Sequence, residues 1–122
     1  TAVIIGAANP TMVSKISSDN HQLVVNGSMT TKKVVVTQQG WADFVFESDY
    51  RLRPLSEVEQ HIKDFKHLPE IPSAKEIENS GIDLGEVQAR LLQKIEELTL
   101  YMIEQNKKIE NLQNEINVLK QK

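Results

Sequence analysis

Apolar residues recur at alternating spacings of three and four along the last third of the chain, a pattern typical of a coiled coil. In a heptad register, leucine takes five of six d positions, and isoleucine or methionine takes four of five a positions. The predicted oligomerisation seam consists of Leu84, Gln88, Leu91, Ile95, Leu98, Met102, Gln105, Ile109, Leu112, Ile116 and Leu119. Because no glycine or proline follows Gly85, we predict one helix from about residue 84 to residue 120.

The first 50 residues instead carry short runs of β-branched and aliphatic residues. Residues 3–5 predict a strand, as does the alternation over 12–16. The run 23–25 leads into Asn-Gly, the strongest short hairpin signal, and 34–37 would be its return strand. Alternation over 41–46 predicts a further strand. Strands this short need neighbours to be stable.

Two short helices are predicted between these parts, and residue pairs at 56/59, 73/76 and 83/86 have the spacing of helix capping boxes. Two prolines near residue 70 force extended chain between the two helices. The fold class is α+β: short strands in an intertwined, fibre-like head, two short helices, and a long parallel coiled-coil helix. Three segments follow: 1–50, a β-rich fibre or shaft end; 51–82, a helix-loop-helix collar; and 83–122, the coiled-coil oligomerisation helix.

Composition narrows the function classes. The chain has 122 residues, a net charge of −3 and no cysteine. No segment is a basic patch, so we expect neither nucleic-acid binding nor adsorption to an anionic membrane. No apolar run reaches membrane-spanning length, and we expect no membrane insertion. The chain opens inside an apolar segment and ends in mid-helix, so we expect it to be a piece of a longer protein.

A string of motifs resembles the C-terminal module of tail-fibre-like proteins from Bacteroidota and their phages. The resemblance covers about residues 23–108 and is carried by LVVNG at 23–27, GWADFVF at 40–46, DYRL at 49–52, EVE at 57–59, HLPEIPS at 67–73, GIDLGE at 81–86, LLQKIEELTLY at 91–101 and EQNK at 104–107. It implies a fibre terminus, on a phage tail fibre or a cell-surface fibre, that follows a repetitive β-shaft. The heptad leaves two or three strands open, and the resemblance favours three.

Few residues of the sequence indicate catalysis or ligand binding. Residues 48–53 resemble the entry to self-cleaving fibre chaperone domains, but Arg53 stands where those domains carry the lysine base, and arginine stays protonated at neutral pH. The three histidines lack metal-ligand spacing. Trp41 is a possible sugar-stacking contact, although beside two phenylalanines it is more typical of a core. A leucine-zipper transcription factor is disfavoured because residues 70–90 are acidic and contain prolines.

These observations predict a structural fibre-terminus module, not an enzyme, that trimerises and registers a fibre protein. We expect a homo-oligomer, a parallel trimer, with no catalytic residue, metal or cofactor. The alternative is a receptor-binding tip for a cell-surface glycan or protein, and a self-cleaving intramolecular chaperone is the third option.

Overall fold

The computed structural model of the protein describes residues 2–11, 13–14, 20–37, 41 and 43–122. The chain divides into two compact units, Thr1–Val35 and Val36–Lys122. The first contains strands β1 and β2, and the second contains helices α1, α2 and α3. Their bounds are β1 Val3–Ile5, β2 Leu23–Val25, α1 Leu55–Phe65, α2 Ala74–Ser80 and α3 Leu84–Lys120. The fold is therefore mixed α+β and mostly helical, with the long C-terminal helix that the heptad predicts.

The first unit is built on a two-stranded parallel sheet, in which Val3 pairs with Leu23 and Ile5 with Val25. Asn26, the residue after β2, ties its turn to the end of β1 and to the residues that follow β1. The amide of Asn26 donates to the carbonyl of Ile5 at 2.9 Å, and its side-chain Nδ2 donates to the carbonyl of Ala7 at 2.9 Å. Gly6 has φ +96°, and a Cβ there would lie 2.8 Å from the carbonyl oxygen of Asn26. Only glycine fits this turn without strain.

The strand predictions for residues 3–5 and 23–25 are confirmed, but the hairpin at Asn26 and Gly27 is wrong. β2 pairs in parallel with β1, and residues 34–37 lie outside any strand. The predicted strand over 41–46 is also absent from its described residues, where a turn closes by a 3.2 Å bond from the amide of Glu47 to the carbonyl of Phe44. A strand exists only through bonds to a neighbour, and the described part of the single chain offers these runs none. Of the segment 12–16 the structure describes residues 13 and 14. They are helical, not extended, and the amide of Val13 donates to the carbonyl of Asn9 at 3.1 Å, so the predicted strand is wrong there.

The helix predictions are confirmed, and two of the three predicted caps form. Ser73 and Asp83 accept the amides of Glu76 and Glu86 through their side chains, at 3.2 and 3.0 Å. The predicted box at Ser56 is wrong, because α1 already begins at Leu55. Proline at the N-cap sets the chain direction there, and its carbonyl accepts the first helical amides.

Helix α3 has two halves of different character. Every residue from 102 to 122 is exposed, whereas between 85 and 101 one side of the helix is covered by the rest of the second unit. The covered residues include Gly85, Gln93, Glu97, Leu100 and Tyr101. The first half of the helix is therefore partly covered within its own chain, and the second half projects into water.

Candidate functional site

Gln93 is the centre of a polar cluster beneath the covered side of α3. It is 6% exposed. Its Nε2 donates to Glu70 Oε2 at 2.6 Å, to the Tyr50 hydroxyl at 3.2 Å and to Glu97 Oε1 at 3.3 Å. The Tyr50 hydroxyl in turn donates to Glu97. The loop before α1, the loop after it and α3 are thus joined through one amide, a bond pattern that fixes their relative position.

Four charged groups complete this cluster and balance one another. Lys94 Nζ lies 2.9 Å from Glu97 Oε2 and 3.6 Å from Glu70 Oε2, and Arg53 Nη2 lies 3.3 Å from Glu70 Oε1. The side chains of Lys94 and Glu97 are only 12% and 13% exposed. Two acids and two bases leave no net charge, which is the condition under which burying such groups is tolerated. Tyr101 adds a 2.6 Å hydrogen bond from its hydroxyl to the carbonyl of Arg53.

The surroundings shift the protonation of three members of the cluster. Burial, followed by the hydrogen bond to Glu97, raises the pKa of Tyr50 from 10.0 to about 12. Burial and the nearby Glu97 carboxylate also raise the pKa of Tyr101 above its ordinary value. Partial burial pushes the pKa of Glu70 upward, but the charge of Lys94, the Gln93 bond and the charge of Arg53 outweigh it and lower that pKa. At neutral pH Glu70 is therefore ionised, and both phenols stay protonated.

Glu70 occupies a strained backbone position. It has φ +65°, and the amide of Ile71 donates to the carbonyl of Leu68 at 3.3 Å around it. Proline at the preceding position and a positive φ here define a type II turn, in which glycine or asparagine is preferred. Glutamate at such a position costs about 1 kcal/mol or more. From this position the Glu70 carboxylate reaches both Lys94 and Arg53, and these ion pairs offset the free-energy cost of the backbone conformation.

The predicted seam lies on the opposite side of α3 and is uncovered from end to end. All eleven seam residues are exposed, and the nine apolar ones range from 45% for Ile116 to 68% for Met102. An apolar surface of this length that is open to water is typical of an interaction site. The structure therefore holds two distinct features on one helix: a bonded polar cluster on the covered side and an open apolar seam on the other.

The remaining residues considered from the sequence are scattered. Trp41 is 53% exposed, so the expectation that it belongs to a core is wrong for the single chain. Ser48 is exposed in the turn region before Tyr50. The rings of His61 and His67 meet edge to face with their centroids 5.4 Å apart. The Phe65 ring is tilted by 43° against that of His61, with centroids 4.6 Å apart. This is an aromatic cluster at the end of α1, which the spacing of the histidines did not predict.

A cleft of about 590 Å³ lies between the 67–72 loop and the start of α3. Most of its charged side chains are committed to other bonds. Glu70 belongs to the polar cluster, Asp83 caps α3, and Glu86 pairs with Arg90 at 3.1 Å. The cleft therefore follows from how the loop meets the helix and offers no converging set of reactive groups.

Three further properties bear on function: possible metal sites, possible membrane spans and similarity to known proteins. Within the described ranges, no group of three or more histidine or acidic side chains is placed to hold a metal ion. None of the helices in those ranges has both the length and the apolar character to cross a membrane. Comparison of the chain with models of protein families, with curated proteins and with solved structures finds no match.

The polar cluster was missed by the sequence reasoning. Glutamine, lysine and glutamate at 93, 94 and 97 are ordinary residues for the solvent side of a helix, so their burial has no signature of its own. A usable signal was Tyr101, which together with Leu92 and Leu100 widens the apolar surface beyond the seam. That widening stops after residue 103, where the covering segments also end.

Proposed function

We propose that this chain is a structural module that assembles as a parallel homotrimeric coiled coil through α3 and sets the register of a fibre protein, on a phage tail or a cell surface. One observation carries the proposal: the heptad seam, apolar at nine of eleven positions, is exposed along the whole of a 37-residue helix. No enzymatic step is part of this role.

The polar cluster supports the same proposal from the other side of the helix. It ties residues 50–70 to the first half of α3 without using a single seam residue. A chain arranged in this way can assemble through its seam while the segments before α1 remain attached to the outside. Three chains joined at α3 would bring their upstream segments together at high effective concentration, which favours correct pairing of strands in a shaft.

Sedimentation equilibrium of the full chain tests the assembly. We expect three times the 13.8 kDa chain mass at micromolar concentration; a monomer would refute the proposal, and a dimer would correct the number of strands. The chain has no cysteine, so Lys122→Cys tests the direction. Oxidation should join chains at their C-termini if the helices are parallel, and should leave them unjoined if they are antiparallel.

A receptor-binding tip is the second candidate, and the exposure of Trp41 favours it. An exposed indole can stack on the apolar face of a sugar. A glycan array probed with the full chain and with Trp41→Ala separates the two functions. Binding that disappears in the variant would support recognition, whereas a module that only trimerises should bind no glycan in either form.

A further inference from the structure

An apolar groove of about 360 Å³ runs along one flank of the seam on the first half of α3. Its floor includes three seam residues, Leu91, Ile95 and Leu98. Leu55 and Val58 of α1, together with Leu68 and Pro69, also line it. Leu55 and Leu68 are 45% and 42% exposed, so this wall also presents apolar surface to solvent. The groove therefore continues the seam sideways instead of forming a separate cavity.

The groove lies on a defined flank of the heptad. Lys94 and Tyr101 line it, and both occupy g positions of the register. Lys94 is held by Glu97 and Glu70, and the Tyr101 hydroxyl donates to the backbone of Arg53 just before α1. These bonds fix the wall of the groove in the single chain, so the groove exists before any partner arrives.

The opposite flank of the same helix carries an apolar edge at the same level. The e positions there are Leu92 and Thr99, both uncharged, and Ile103 beside them is 47% exposed. Farther along α3 the e positions change to Asn106, Gln113 and Lys120. The e positions are thus free of amide and charged side chains at the level of the groove, and become strongly polar beyond it.

We propose that the groove of each copy receives the e-side edge of the neighbouring copy, so that the collar of one chain packs on α3 of the next. This inference rests on the proposed function. In a parallel coiled coil the g flank of one helix faces the e flank of its neighbour at about the same level. Thr99 and Ile103 of one copy then meet Leu55 and Leu98 of the next. Such a contact joins unlike surfaces, and rotation closes it into a ring.

A second copy of this chain fits the groove better than an unrelated protein does. Leu91, Ile95 and Leu98 belong to both the seam and the groove floor, so any helix on the seam at this level also closes the mouth of the groove. The neighbour's edge brings two uncharged side chains to a wall whose charges, Arg53 and Lys94, are already paired with acids. The charged side chains that line the groove are therefore already paired within the chain.

Chain-to-chain crosslinking tests the contact. Leu55→Cys and Ile103→Cys, each in an otherwise cysteine-free full chain, are unfolded together, refolded and treated with a short flexible thiol-to-thiol reagent. Because the two cysteines lie on different chains, any mixed product joins separate copies. We expect a covalent product that contains one chain of each kind. Leu55→Cys mixed with Lys107→Cys is the matched control, since Lys107 is at the outward f position one turn later, and it should give no mixed product.

The outcomes separate this inference from the function on which it rests. An intact oligomer without the mixed product overturns the groove contact and leaves the coiled coil standing, whereas a monomer overturns both. A second pair of variants checks the energetics. Leu55→Asp should raise the concentration at which the assembly half-dissociates by about tenfold or more, because it places a charge in an apolar contact. Ser56→Asp, on the same helix but outside the groove lining, should leave that concentration unchanged.

Discussion

Ile109→Asp probes the proposed assembly without disturbing the single chain. Ile109 occupies an a position in the uncovered half of α3 and is 62% exposed. The substitution therefore removes nothing that the monomer uses for its own packing. Its effect on α3 alone is limited to the small difference in helix propensity between the two residues. Any large effect must come from the contact between chains.

The expected magnitude follows from the area that assembly would cover. Burying the exposed part of Ile109 is worth about 1–2 kcal/mol per chain, or about 3–6 kcal/mol for three copies. The half-dissociation concentration of a trimer varies as the square root of its equilibrium constant, so the lost burial alone raises it by about ten- to a hundredfold. Three carboxylates at one level of a desolvated axis add to this cost.

Sedimentation equilibrium over a dilution series, with circular dichroism at each concentration, measures the shift. Asn114→Asp is the matched control, because it adds the same charge at an f position that faces away from the seam. It should behave as the unaltered chain. If Ile109→Asp keeps the half-dissociation concentration of the unaltered chain, the assigned heptad is refuted, whatever the oligomer number.

Three further predictions concern the second unit, each read by thermal unfolding at fixed chain concentration. Glu70→Gln should lower the free energy of unfolding by about 1–2 kcal/mol at pH 7. The variant should also lose less stability in acid than the unaltered chain does. Because the pKa of Glu70 is lowered below 4.5, the stability that its carboxylate contributes is present above that pH and lost as the pH falls through the shifted value. Lys66→Gly should stabilise by about 0.5–1 kcal/mol, since Lys66 ends α1 at φ +62°, and an unchanged or lower stability would contradict that reason. Tyr50→Phe should reduce the loss of stability in base. Because the pKa of Tyr50 is raised from 10.0 to about 12, the tyrosine contributes stability that is full below pH 10 and disappears as the pH rises through about 12. An identical alkaline profile in both proteins would refute this prediction.

The sequence predicts α3 well because its determinants are local. An aspartate at 83 that caps the helix, no glycine or proline after Gly85, and a sustained heptad all act within a few residues of where they stand. The same holds for the cap at Ser73 and the glycine that ends α2. The misplaced cap at Ser56 shows the limit of such signals, because a proline two residues earlier already starts the helix.

The strands and the polar cluster depend on distant partners, and the sequence predicts them less well. Residues 3–5 and 23–25 are strands as predicted, yet their parallel pairing joins segments 20 residues apart and no turn signal marks it. Asn26 and Gly27 have the composition of a hairpin turn, but the Asn26 amide bonds to Ile5 in the first strand and its side chain bonds to Ala7 just after that strand. Likewise, Gln93 is buried only because Tyr50 and Glu70 arrive from elsewhere in the chain.

Burial within the single chain bears on the order in which the parts fold. Among the described residues, Val45 is the one large apolar side chain that is fully buried, whereas 27 are exposed. Those exposed include Val34, Val35 and Val36, a run with high strand propensity that has no neighbouring strand among the described residues. With so little core among its described residues, the single chain gains little from burial to offset the entropy of ordering itself. Under the proposed assembly, the missing burial comes first from the seam, where the pattern is longest and most regular. The head segments then gain their partners only after α3 has brought the copies together, so folding of the head depends on the coiled coil and not the reverse.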